Sequence, residues 1–144
     1  MIVKESYIKL DKSIKNQEDV IEYLSMIAFE NNLIKESIVD ELKKREEEYP
    51  TSIGEKIAIP HAKTDKVLKS TVLLVRLDKE IEWGEEEVKL ILCLLSKEQE
   101  SENHLNMLSQ ISRKMMHNSF KKILFNAKSK KEIEVELNNM EGIE

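Results

Sequence analysis

A chain of 144 residues with 40% hydrophobic and 35% charged residues has the composition of a globular protein, and we expect one domain spanning 1–144. Its net charge of −5 argues against nucleic-acid binding, because a nucleic-acid binder needs a basic face to neutralise phosphates. No apolar run is long enough to cross a bilayer, no signal peptide is recognisable, and the single cysteine excludes an internal disulfide. These features predict a cytoplasmic protein.

The first third of the chain is predicted to form one short strand and two helices. An edge strand is expected at 6–10, and a helix at about 17–31, where apolar residues recur at helical spacing after the N-cap Asn16. A second helix is predicted to start with a capping box at Ser37 and to end near Glu48.

Arg45 is the one charged residue of the second helix that is aligned with its apolar stripe. It follows Ile38 and Leu42 at helical spacing, whereas its charged neighbours point largely elsewhere. An arginine at such a position either covers apolar surface with its stem or presents its guanidinium to a site. The pattern alone leaves both interpretations open.

The stretch 51–63 contains one of three glycines, one of two prolines and one of three histidines. A short apolar alternation ending in Ile59 predicts a strand that Pro60 closes. Because proline fixes its own φ and favours an extended conformation in the residue before it, His61 is predicted to leave the strand on a fixed path. A polar connector is expected at 63–69.

Two strongly apolar strands are predicted next, at 70–78 and 88–95, with a turn at 81–84 between them. Their nearly continuous apolar runs are typical of strands that are covered on both faces. Cys93 lies within the second run, so it is expected to be a small buried hydrophobe rather than a reactive thiol.

Three helices complete the predicted chain. Ser101 is expected to be the N-cap of the first helix, which carries His104 in its first turn. The apolar face of that helix is predicted to continue through Leu105, Leu108, Ile111 and Met115. A shorter helix is predicted at 119–127, and Ser129 is expected to cap the last one. Because strands and helices interleave, the predicted fold class is α/β.

The candidates for chemistry are His61, His104 and Arg45. The chain contains no phosphate-loop, dinucleotide-binding, nucleophile-elbow or zinc-protease motif, and its histidines and cysteine lack metal-ligand spacing. His104 is expected to be a neutral imidazole beside an anion-binding helix N-terminus, whereas His117 at a helix end receives no function. Two rings and a guanidinium suit a phosphoryl group, although each residue also has a purely structural interpretation.

Five segments carry a resemblance to a known family. They read REE at 45–47, TSIG at 51–54, IAIPHAKT at 57–64, HLNMLSQI at 104–111 and NAKS at 126–129. In this order the chain resembles the enzyme IIA (EIIA) domain, type 2, of the bacterial phosphoenolpyruvate-dependent sugar phosphotransferase system (PTS), in its fructose/mannitol group.

The resemblance implies a single-domain three-layer α/β sandwich with a mixed sheet, and a phosphorelay role in sugar uptake. In that role the domain accepts a phosphoryl group from phospho-HPr on a histidine and passes it to a cysteine of enzyme IIB. His61 corresponds to the phosphorylated nucleophile, and His104 and Arg45 to residues that steady the phosphoryl group. No metal, cofactor or direct membrane insertion is implied, since the membrane permease is reached through IIB and IIC.

Three alternatives to a transport role stay open at the level of sequence. The domain is either a transport component, or a regulatory, phosphorylation-sensing EIIA of the nitrogen-related type. A hydrolase using His61 as general base, and a binding module whose histidines only pack, are the other two. A locally basic rim, which either assists partner docking or is simply solvated, comprises Lys56, Lys63, Lys66 and Lys69.

Overall fold

A five-stranded sheet flanked by helices makes up the part of the chain that the computed structural model describes, residues 2–139. The strands are β1 (Ile8–Lys12), β2 (Ile57–Ala58), β3 (His61–Thr64), β4 (Thr71–Trp83) and β5 (Glu86–Lys97). The α-helices are α1 (Gln17–Glu30), α2 (Val39–Glu48), α3 (Ser101–Lys114), α4 (Asn118–Asn126) and α5 (Lys130–Asn138). A single 3-10 turn, Glu5–Tyr7, precedes β1.

The sheet is mixed, as the resemblance implies, and its order is β1-β4-β5-β2. Strands β4 and β5 form a long antiparallel hairpin at the centre, and β1 pairs with β4 in parallel. Both β2 and β3 run parallel to β5 along its other edge, so that Ile57 lies opposite Leu90 and His61 opposite Leu94. The short strands therefore follow one another along the same edge of β5.

Both faces of the central hairpin are buried, which confirms the interpretation of its apolar runs. On one face, Arg76 donates from Nη1 to the Leu124 carbonyl of α4 at 3.1 Å, and Ser96 contacts His104 of α3. Helices α1 and α2 pack against each other and contact β4 and β3. Cys93 is fully buried, as predicted, and burial raises the pKa of its thiol. The α/β class and the mixed sheet flanked by helices are confirmed.

The two central strands are longer than predicted, and the predicted turn at 81–84 is wrong. Strand β4 continues through its charged segment to Trp83, and a register shift between Arg76 and Ile81 accommodates that segment. The turn consists of the two residues between the strands, and it begins at Gly84, whose φ is +65°. Glycine is required here because this positive φ is unfavourable for other residues and because a Cβ would lie only 2.9 Å from Cγ of Pro50.

Helix boundaries agree with the sequence where a side chain caps the helix. Asn16 and Ser129 each accept the backbone N–H three residues further on, at 2.8 and 3.3 Å, as predicted. The N-cap predicted at Ser37 is wrong by one residue, because Ile38 precedes α2 at Val39; the Ser37 hydroxyl nevertheless accepts the Val39 N–H at 3.3 Å. The cap predicted at Ser101 is also wrong, since this residue is already the first of α3. Its hydroxyl instead accepts a hydrogen bond from a lysine ammonium of β3.

Two further boundaries differ from prediction. The N-terminal edge strand occupies Ile8–Lys12 rather than 6–10, because the preceding residues form the 3-10 turn. On α3 the buried positions are His104, Met107 and Ile111, whereas Leu105 is exposed. Among the described residues, no helix is long and apolar enough to span a bilayer.

Candidate functional site

His61 begins β3 instead of ending a strand, which corrects the sequence-based expectation. Pro60 interrupts the pairing with β5 because it has no N–H to donate. Its carbonyl nevertheless accepts the Leu94 N–H at 3.0 Å, so the chain stays beside β5 and pairing resumes at His61. The connector predicted at 63–69 is consequently still strand as far as Thr64. A histidine that follows this break is held by strand pairing rather than by a loop.

The hydrogen bonds of the His61 ring define its tautomer. Its Nδ1 lies 3.0 Å from the carbonyl oxygen of Ile59, and its Nε2 lies 3.0 Å from Nε of Arg45. A carbonyl oxygen only accepts, and the guanidinium only donates. The arrangement that satisfies both therefore places the proton on Nδ1 and leaves a lone pair on Nε2.

Arg45 reaches His61 from the last turn of α2, where a cation is favoured by the helix dipole. Its Nη1 also donates to the Tyr49 carbonyl at 2.8 Å, which fixes the guanidinium between the end of the helix and the ring. Leu42, one turn earlier, is fully buried. Of the two interpretations of Arg45 that the pattern allowed, the structure shows a guanidinium presented to a histidine.

His104 completes the cluster from the first turn of α3. Its side chain is buried, at 8% exposure, and its ring centroid lies 5.5 Å from that of His61. Its Nδ1 is 2.6 Å from Oγ of Ser96 on β5. The three residues singled out in the sequence are thus brought together, while Ser96 was missed. Its signal in the sequence is faint: a hydroxyl directly after an unbroken apolar run.

The third histidine takes no part in these contacts. His117 is exposed and precedes α4, at the N-terminal boundary of that helix, whereas the sequence placed it at the end of the preceding one. Helix α3 ends at Lys114, which leaves a short connection between the two helices.

Burial lowers the pKa of both site histidines. For His61 the desolvation of the ring is the largest cause, and the positive charge of Arg45 adds to it, against the opposing effect of the Ile59 carbonyl. For His104, burial is again the main cause, followed by the proximity of His61 and Lys63. Both rings are therefore neutral near pH 7, and a neutral imidazole with a free lone pair is a competent nucleophile.

We expect the free energy of unfolding to decrease as the pH falls from about 7 to about 5. Histidines in the unfolded chain have a pKa of about 6.5, and folding lowers the pKa of both His61 and His104. Below about pH 6.5 the unfolded chain therefore binds more protons than the folded chain. The stability that the two neutral rings contribute is complete above this pH and is lost as the pH falls to their lowered pKa values. Urea unfolding at a series of pH values measures this slope. A double alanine variant of the two residues should flatten it, and an unchanged slope contradicts the prediction.

A carboxylate beside the cluster joins three elements of the fold and the loop that follows α2. Glu46 accepts hydrogen bonds from the backbone N–H and the hydroxyl of Thr51 and, at 2.9 Å, from Nε1 of Trp83. Gln17 of α1 lies 3.4 Å from the same carboxylate. These contacts fix the end of α2 directly next to Arg45. The sequence gives no signal for this role, because Glu46 is one of three consecutive glutamates.

Replacing Glu46 with alanine is expected to lower the free energy of unfolding by roughly 2–4 kcal/mol, because several donors lose their acceptor in a largely buried setting. Urea titration followed by the fluorescence of Trp83, the only tryptophan, measures the loss. The neighbouring Glu47 is exposed and provides the matched control, with an expected change within about 0.5 kcal/mol. Equal stability of the two variants contradicts the prediction.

The lysines of the expected basic rim are largely engaged. Lys56 and Lys66 each pair with a glutamate, the latter at 2.7 Å, and Lys63 donates to a serine hydroxyl at 2.9 Å. Paired lysines contribute less positive potential than free ones. The rim is therefore less basic than its sequence indicates.

Comparison with known proteins identifies the family of this chain. The family model for the phosphoenolpyruvate-dependent sugar phosphotransferase system, EIIA 2, matches residues 1–140. The chain belongs to this EIIA family. A fructose-specific EIIA component of the PTS from Haloferax volcanii is 33% identical over 132 residues, covering 88% of this chain and 86% of that protein. Multiphosphoryl transfer protein 1 of Escherichia coli K12 is 31% identical over 130 residues, covering 88% of this EIIA chain but 16% of the relative.

Solved structures agree with this membership. Nitrogen regulatory protein IIA-Ntr from Neisseria meningitidis superposes with a TM-score of 0.87 at 25% identity, covering 94% of this chain and 96% of that one. IIA mannitol from Escherichia coli superposes with a TM-score of 0.82 at 22% identity, covering 95% and 99%. The EIIA chain shares the fold of both, and it has the phosphoryl-transfer role of its family within the PTS.

Proposed function

We propose that this chain, as one EIIA domain, accepts a phosphoryl group from phospho-HPr on Nε2 of His61 and passes it to a cysteine of enzyme IIB during sugar uptake. The observation that carries the proposal is the fixed tautomer of His61. Its proton is bound to the Ile59 carbonyl, and its lone pair lies on the nitrogen that faces Arg45. Membership of the EIIA family supports the same reaction class.

The reaction is a displacement at phosphorus. The Nε2 lone pair of His61 forms the new N–P bond while the N–P bond to the donor histidine of HPr breaks, and the donor ring leaves with that electron pair. The proton on Nδ1 stays in place, so the phosphorylated ring carries a positive charge. The Ile59 carbonyl, 3.0 Å from Nδ1, stabilises this charge. In the second step a cysteine thiolate of IIB attacks phosphorus, and the neutral ring of His61 is regenerated.

Arg45 has a different role before and after the transfer. In the free protein its Nε–H is bonded to the Nε2 lone pair, so this bond must open before phosphorus can approach. Once the phosphoryl group is bound, the guanidinium remains within reach of its oxygens and forms charge-assisted hydrogen bonds with them. The bond to the Tyr49 carbonyl keeps the side chain in place during this exchange.

Exposed apolar side chains next to the site residues support a protein as donor and acceptor. Tyr49, whose carbonyl binds Arg45, is 73% exposed, and Leu105, which follows His104, is 65% exposed. Aromatic side chains such as tyrosine are enriched in protein interfaces, and an exposed leucine beside one extends the apolar surface. A complex of IIA and phosphorylated IIB has been solved for the mannitol proteins of Escherichia coli, which supports IIB as the class of acceptor.

Phosphoryl transfer in a reconstituted system tests the proposal. The purified chain is incubated with labelled phosphoenolpyruvate, enzyme I and HPr, and then with the IIB of the same organism. We expect acid-labile label on the chain that is chased onto IIB. Label that appears without HPr, or that is released as phosphate from a small ester, points to the hydrolase. An unlabelled chain points to the binding module.

The regulatory alternative makes a different prediction in the same experiment. A phosphorylation-sensing domain would take label from HPr and retain it when IIB is added. The comparisons do not favour this alternative, because the chain is 33% identical to a fructose-specific EIIA component in an alignment that covers 88% of this chain and 86% of that protein.

A further inference from the structure

We infer that Ser96 is a positioning residue, whose hydroxyl sets His104 as an Nε2–H donor aimed at the phosphoryl group on His61. This inference rests on the proposed phosphoryl transfer. Ser96 is fully buried on β5, and its Oγ lies 2.6 Å from Nδ1 of His104. A hydroxyl and an imidazole nitrogen at this distance form a hydrogen bond, in which either Nδ1–H donates to the hydroxyl oxygen or the hydroxyl donates to Nδ1.

The hydrogen-bond inventory distinguishes the two arrangements. Within the described part of the chain, the Ser96 hydroxyl has no partner other than His104. If Nδ1–H donated to Ser96, the hydroxyl proton would be buried without an acceptor, at a cost of about 1–3 kcal/mol. If the hydroxyl donates to Nδ1, that proton is satisfied. The second arrangement places the ring proton of His104 on Nε2.

The Nε2 of His104 is the atom left to act on a ligand. No described residue forms a hydrogen bond with it. Among the described residues, Glu41 Oε1 is the one side-chain polar atom that is both fully buried and unbonded, so the unbonded Nε2 of His104 must keep some contact with solvent. With the two ring centroids 5.5 Å apart, an N–H at this position can donate to an oxygen of a phosphoryl group on His61. The two histidines then have opposite tautomers: His61 carries its proton on Nδ1 and His104 on Nε2.

The tautomers are measured directly by NMR on the full chain labelled with ¹⁵N in its histidines. In the wild type we expect a pyridine-like Nδ1 and a pyrrole-like Nε2 for His104, and the reverse for His61. In Ser96→Ala the two ring nitrogens of His104 should move towards the averaged shifts of a mixed population, while those of His61 stay unchanged. Ser96→Thr retains the hydroxyl and should restore the wild-type shifts.

Transfer kinetics provide the second measurement. We expect Ser96→Ala to slow phosphorylation by phospho-HPr roughly three- to tenfold, the factor that corresponds to one hydrogen bond. Ser25→Ala is the matched control: this buried serine accepts a hydrogen bond from the Ile38 N–H, and its loss should leave the His104 shifts and the transfer rate unchanged.

Two results would overturn the inference: a wild-type His104 with its proton on Nδ1, or a Ser96→Ala variant with wild-type ring shifts and transfer rate. The NMR measurement needs no phosphoryl donor. If the chain takes no phosphoryl group from HPr, the proposed function fails. The NMR measurement still shows in that case whether Ser96 sets the tautomer of His104.

Discussion

Replacing His61 by alanine is expected to abolish phosphorylation of the chain by phosphoenolpyruvate, enzyme I and HPr. The other imidazole of the cluster, His104, does not substitute for it, because its Nδ1 is bonded to Ser96 and its Nε2, in the inferred tautomer, carries the ring proton and has no free lone pair. No label should be incorporated even after long incubation, since the nucleophile itself is missing. Acid-labile label retained in this variant contradicts the assignment of His61.

The remaining two histidines provide graded controls for this experiment. His104→Ala should still be labelled on His61, at a rate reduced roughly 100- to 1,000-fold, because one donor to the phosphoryl oxygens is lost. His117→Ala should behave like the wild type, since this exposed residue lies outside the cluster. Circular dichroism of all three variants separates a lost nucleophile from a lost fold.

The three candidate site residues could be selected from the sequence because each is anomalous in its local pattern. Arg45 is a charge on an apolar stripe, His104 is a ring on a buried helix face, and His61 follows one of only two prolines. Local pattern did not show that the three converge. Their convergence depends on the pairing of β3 with β5 and on the contact of α2 with β3, and both are non-local.

The errors in the prediction share a physical cause: a local signal was overridden by a tertiary contact. Pro60 is a normal end signal for a strand, yet its carbonyl accepts from β5 and the pairing resumes after it. Ser101 is a normal N-cap, but its hydroxyl binds Lys63. The turn predicted at 81–84 is mostly strand, because Ile81, Glu82 and Trp83 pair with β5 beyond the register shift.

Support residues such as Glu46 and Ser96 were not predictable, because their function depends on which distant donor or acceptor they meet. Glu46 binds Trp83, 37 positions away, and Ser96 binds a ring on the following helix. A glutamate on a charged helix and a serine at a strand end are unremarkable in sequence. Their roles follow from the fold and cannot be assigned before it.

Two opposing effects decide what the loss of Arg45 does to phosphoryl transfer. In the free protein the guanidinium occupies the lone pair of His61, so its removal frees the nucleophile from a hydrogen bond to a charged group, worth about 1.5–3 kcal/mol. In the transition state the same group neutralises charge on the phosphoryl oxygens, and removal of such a donor costs about 2.7–4 kcal/mol. The second effect is larger, so transfer should slow.

The difference is about 1 kcal/mol, so we expect Arg45→Ala to slow phosphorylation by phospho-HPr roughly five- to tenfold. Arg45→Lys should slow it by less, because lysine retains the charge but not the planar fork. Rapid-quench measurement of label incorporation gives these rates. Lys44→Ala removes one positive charge from the adjacent, exposed position of α2 and should keep the wild-type rate. If Arg45→Ala were phosphorylated faster than the wild type, the guanidinium would act mainly as a cap on the His61 lone pair, and its proposed contact with the phosphoryl group would be wrong.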